Sequence, residues 1–128
     1  MFAIRLDSRA FIPAGCGKLP EDQRPVIRYR PALAGEYTDA QIYAWSASTD
    51  GRGGEVITRL ALEHIVADCI VSIDNVGFEK DGELAPIVWH IDSPIDERIA
   101  TIRKLPGAWF NALMSEVQAS TELTQEEE

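Results

Sequence analysis

The sequence predicts an α+β domain in which a small sheet of short strands packs against a central helix and C-terminal helices. Three observations carry that reading. Residues 26–30, VIRYR, alternate as a half-buried strand does, with Val26, Arg28 and Arg30 on one side and Ile27 and Tyr29 on the other. Glu55 to about Ile70 carries a broad helical stripe of Val56, Ile57, Leu60, Leu62, Ile65, Val66 and Cys69, with Glu55 placed to favour the N-terminal end of the dipole. Ser93-Pro94 then opens a further helix, and Pro106 divides it from the last one.

The elements follow in order from the N-terminus. Phe2, Ile4 and Leu6 alternate with Ala3 and Arg5, which predicts a first strand. Residues 13–25 hold three Pro and two Gly and read as a connecting loop. After Pro31, a helix starting near Ala34 or Thr38 places Tyr37, Ile42, Ala44 and Trp45 on its apolar pattern. Asp50 to Gly53, with Gly54 behind them, form a flexible break. A phosphate-binding loop is not supported there, because neither GxxxxGK[ST] nor GxGxxG is present and no strand clearly leads into it.

Beyond the central helix, residues 70–78 predict a strand through Val71 and Ile73, and Asp81-Gly82 signals a hairpin turn leading to a second strand, Ile87 to Ile91. In the next helix Ser93 is the expected N-cap, Pro94 the first helical residue, and Asp96 and Glu97 the acidic first turn. Ile95, Ile99 and Ile102 share its inner face. The last helix, Gly107 to about Ala119, aligns Trp109, Phe110, Leu113, Met114 and Val117. Both C-terminal helices are expected to dock on the central one. Residues 1–120 read as a single domain. Thr121 to Glu128 carry four Glu and no basic residue and read as a disordered acidic tail.

Composition narrows the function. With 128 residues, 45% of them hydrophobic, the chain suffices for one core. Its net charge of −9 disfavours nonspecific binding to nucleic acid or anionic lipid. Residues 1–30 hold six basic and three acidic residues, net +3, and residues 31–128 six basic and eighteen acidic, net −12. That asymmetry is compatible with head-to-tail self-association, with a basic partner, or with an ordinary solvated surface. No run reaches the roughly 18 apolar residues of a membrane span, and the start does not resemble a signal peptide, so a cytosolic protein is expected.

Catalytic signatures are weak throughout. His90 and Asp92 form an H-x-D pair, which is too few ligands for a metal site. Glu63-His64 does not match H-E-x-x-H and reads as the flank of a helix. Cys69 reads as a buried, reduced thiol, and Cys16 lies in the Gly/Pro-rich loop with no CxxC spacing. No Ser sits in a G-x-S-x-G elbow, and the acidic residues are too numerous for any pair to stand out. No cofactor, small-molecule substrate or enzymatic activity is expected.

Three strings carry a resemblance: VIRYRPALAGEYTDAQ, ALEHIVADCIVSIDNVGFEKDGEL and LPGAWFNALMSEVQASTELTQEEE. Together, over about residues 26–128, they resemble the tail assembly chaperones encoded upstream of the tape-measure gene in long-tailed bacteriophages. The resemblance implies a non-catalytic protein of the bacterial host's cytoplasm that coats the tape-measure protein and recruits tail-tube subunits. In many members of that family, ribosomal frameshifting also yields a longer product. The strand-rich, proline-containing N-terminal segment departs from the family's small helical core and leaves room for a minor tail or connector role. An acidic inhibitor that mimics nucleic acid against a host defence enzyme is the alternative of a different class. Aromatic residues are enriched at binding hot spots, which makes Tyr37, Tyr43, Trp45 and Trp89 the candidate partner-binding residues, unless they complete the core.

Overall fold

A computed structural model describes residues 7–47 and 54–126. The expected strand at residues 2–6 and the Asp50–Gly53 break lie outside the described residues. The described elements are β1 (Arg9–Phe11), a 3₁₀ turn (Cys16–Lys18), β2 (Val26–Tyr29), α1 (Ala34–Ala47), α2 (Gly54–Cys69), β3 (Ile70–Asp74), β4 (Gly77–Lys80), β5 (Glu83–Pro86), α3 (Ile95–Ile102) and α4 (Gly107–Glu126). They form an α+β fold with two small antiparallel sheets, one ordered β1-β2-β3 and the other a β4-β5 hairpin.

As expected, α2 is the core helix. From Ala61 to Cys69 nearly every side chain is buried, and the helix packs against α1, α3 and α4. Phe11, Ile27, Tyr29, Ile70 and Ile73 supply the sheet's share of the core, and Ile99, Ile102, Phe110, Leu113, Met114 and Val117 supply that of α3 and α4. The expected docking of the C-terminal helices on α2 is therefore present. Trp109, however, is only partly buried, while its neighbour Phe110 is buried.

Several local readings change. In β3 the buried residues are Ile70 and Ile73, and Val71 is exposed, whereas strict alternation would put Val71 and Ile73 on one side. The cause is the irregular pairing between Arg28↔Ser72 and Tyr29↔Ile70. It leaves Val71 as an extra residue, and such a bulge shifts the side-chain phase by one. In α1 the buried residues are Ala40 and Ala44, one turn apart, and Ile42 and Trp45 point outward. Two alanines on the inner face let α1 lie close to α2 without a bulky ridge.

The Asp81-Gly82 turn forms as predicted, with positive φ at both residues (55° and 80°), but its second strand is Glu83–Pro86 and not Ile87–Ile91. A two-residue turn fixes the partner directly: Lys80 must face Glu83, and Glu79 must face Leu84. The chain leaves the ladder after Ile87, whose N–H donates to the Val76 carbonyl at 2.8 Å. Helix α3 begins one residue later than expected. Pro94 is its N-cap, without a side-chain cap, and the Pro94 carbonyl accepts the N–H groups of Glu97 and Arg98. Helix α4 runs to Glu126 rather than ending near Ala119, since no Gly or Pro interrupts the sequence from 119 to 126. Strand β1 was not legible: Arg9–Phe11 is three residues long and lies just ahead of the buried Pro13.

Candidate functional site

The four candidate partner-binding aromatics do not share one face. Tyr37 and Tyr43 are half-buried against the core on α1. The Tyr43 hydroxyl donates to Asp96 Oδ1 at 2.7 Å, tying α1 to the start of α3, and its ring lies 4.8 Å from the His64 ring. Burial and this bond to Asp96 push the Tyr43 hydroxyl up to about 12. Trp89 is half-buried too, and its Nε1 donates to the Ile70 carbonyl at 3.2 Å. Trp45 differs from all three. It is 66% exposed, and Ile42, one turn before it on the same helix, is 62% exposed.

Beneath α1 lies a network of charges that the sequence reading missed. Glu63 is only 2% exposed, and Arg103, the C-cap of α3, grips it at two points, Nε to Oε2 at 2.7 Å and Nη2 to Oε1 at 2.9 Å. His64 is also buried, with Nδ1 3.3 Å from Asp68 Oδ2 one turn on, though without the alignment of a hydrogen bond. Arg98 Nη1 stands 3.7 Å from Asp68 Oδ1 and donates to the Ala67 carbonyl. Arg30, just past β2, pairs at two points with Glu36 of α1 (2.8 and 2.5 Å) and donates to the Asp68 carbonyl.

Glu63-His64, which the sequence presents as the flank of a helix, is buried on the inner side of α2. A polar pair in the middle of the most apolar helix was the available signal, and two arginines five residues apart in and beside α3 were its complement. Burial raises the Asp68 carboxyl above its ordinary value, against the pull of His64 and Arg98. Burial also raises Glu36, but its hydrogen bonds with Arg30 and the Leu33 N–H prevail and hold it below the ordinary value. The Cys69 thiol beside this network is pushed up to about 12 by burial, which keeps it protonated and unreactive.

Each acid in this network faces a cation across an element boundary, which is the pattern of a structural clamp. Models of known protein families, curated proteins and solved structures give no match to this chain. Among the described residues no group of three or more His, Cys, Asp and Glu is placed to hold a metal ion. His90 and Asp92 are both exposed, and residues 87–91 are not a strand, so the alternation that would align the pair is missing. Among the described residues no helix is long and apolar enough to cross a membrane.

Proposed function

We propose that this protein is a non-catalytic tail morphogenesis protein of a long-tailed bacteriophage, acting in the host cytoplasm as a tail assembly chaperone that binds the tape-measure protein and tail-tube subunits. The reading rests on the three resembling strings and on one observation, the outward-facing Ile42 and Trp45 on α1. Two large apolar side chains one turn apart on the outer face of α1 match the groove-and-ridge contact by which helices pair, and Trp is a frequent binding hot spot. A tape-measure protein is a long helical partner that offers many equivalent stretches, so several copies would bind, each weakly. Tyr43 and Trp89 already use their polar atoms inside the fold and would contribute their ring faces only.

Co-expression with the tape-measure protein of the same phage tests this. The wild-type protein should keep that partner in solution and co-purify with it, and Trp45→Glu together with Ile42→Glu should lose it while melting normally. Failure of the wild-type protein to co-purify, with binding instead to a host nuclease, would replace this reading with that of an acidic inhibitor.

A further inference from the structure

The β4-β5 hairpin makes no extensive contact with α1, which carries Trp45. All eight of its strand residues are exposed, Leu84 71% so, and the hairpin packs extensively on no other element. A two-stranded hairpin with so little packing is only marginally stable in water. In an antiparallel ladder, bonded and non-bonded pairs alternate. The Ile87 N–H to Val76 carbonyl bond sets the phase, so Phe78/Ala85 and Lys80/Glu83 are bonded pairs. Gly77 and Glu79 then turn their N–H and C=O groups outward along β4. The opposite edge is blunted, since Pro86 has no N–H to offer there.

Beside this hairpin lies a cleft of about 520 Å³ between Asp22-Gln23 and an apolar floor of Val76, Leu84, Pro86 and Ile87. Glu79 stands opposite Leu84 and shares its face. The hairpin and its approach are acidic: residues 74–86 hold four acidic residues and one basic, net −3, and Asp22 lines the cleft itself.

We propose that β4 and this cleft receive an extended, basic segment of a partner protein. It adds as a third strand along Gly77 and Glu79, sets an apolar side chain over Leu84 and Pro86, and brings Lys or Arg to Asp22 and Glu79. Main-chain bonds supply affinity in such strand addition, and the alternate side chains supply selectivity. Charge chooses the partner, since an acidic segment would meet the carboxylates of Asp22 in the cleft and of Glu79 on the adjoining strand.

Fluorescence anisotropy with the full-length protein tests the proposal, using as probes a short peptide alternating Val and Arg, the same peptide with Glu for Arg, and a Val/Arg peptide N-methylated on alternate residues. The Val/Arg peptide should bind, the Val/Glu peptide should not, and N-methylation along the pairing edge should weaken binding by about tenfold or more, as loss of two hydrogen bonds implies. Leu84→Lys and Glu79→Lys, both at exposed positions, should each weaken binding with the melting temperature unchanged. No binding of the Val/Arg peptide overturns the proposal. So does equal binding of the N-methylated peptide, which would mean attraction by charge alone, or binding indifferent to both substitutions.

Discussion

Arg103 closes on Glu63 as a two-point ion pair in which the acid is almost fully buried and the base is half exposed. The pair fastens the end of α3 to the middle of α2. Removing the cation takes from an almost fully buried carboxylate both its ion pair and its two hydrogen bonds. Arg103→Ala should therefore destabilise the fold by roughly 1.5–3 kcal/mol, the worth of a hydrogen bond to a charged group. Arg103→Met with Glu63→Leu should recover most of that loss, because apolar side chains of similar size often replace a buried pair at little cost. Chemical denaturation of the three proteins checks this, and a double variant no better than Arg103→Ala would contradict it.

The last helix separates two neighbouring aromatics by burial. Phe110 is buried beneath the guanidinium of Arg59, whose carbon lies 4.7 Å from the ring centre, and Leu113 is fully buried. Leu113→Ala should cost about 2–5 kcal/mol and Phe110→Ala about 3–5 kcal/mol, each a large share of a small domain's stability. Trp109→Ala should cost clearly less than Phe110→Ala, although the two share one apolar stripe in the sequence. Melting temperatures in the opposite order would place Trp109 in the core.

How much of this was legible follows from what each element depends on. Helices α2, α3 and α4 announce themselves because their apolar spacing, the Ser93-Pro94 opening and the Pro106 break are all local signals. The Asp81-Gly82 turn is local as well, yet hydrophobicity points to Ile87–Ile91 for the strand after it, while the turn demands Glu83. Neither the bulge at Val71 nor the exposure of Ile42 and Trp45 can be read locally. The first depends on pairing with β2, and the second on two alanines winning the inner face of α1. The charged clamp is the same kind of case. Glu63 is tolerable inside α2 only because Arg103 arrives from forty residues away.

Acid should loosen the contact between α1 and the sheet. Glu36 has a folded value below its ordinary 4.5, so it contributes stability that is present above the unfolded value and is lost as pH falls through the folded one. Asp68 works in the other direction: burial raises it, so protonating it is easier in the fold than in the unfolded chain. Glu36→Gln should therefore flatten the loss of stability below about pH 4.5, and Asp68→Asn should steepen it. Urea midpoints measured from neutral pH down to about pH 3 decide this, and parallel pH profiles for wild type and Glu36→Gln would refute it.

The hairpin should open independently of the core. Asp81 and Gly82 both have positive φ, as a two-residue turn of this hand requires. Nothing lies within 4 Å of a Cβ built on Gly82, so its constraint is conformational and not steric crowding. Gly82→Ala would place a side chain in the left-handed region at a cost of about 1–2 kcal/mol. Because the eight strand residues are exposed and lean little on any other element, that cost should fall on the hairpin alone. Amide exchange should quicken for the bonded groups of Phe78, Lys80, Glu83 and Ala85, while Ile27, Ile70 and Leu113 keep their protection and the melting temperature stays within about 1–2 °C of wild type. Ile87→Ala is the counterpart, since Ile87 is buried where the hairpin joins the core and its truncation should lower global stability by about 2–5 kcal/mol. If Gly82→Ala instead lowered the melting temperature as far as Ile87→Ala does, hairpin and core would unfold as one unit, against this prediction.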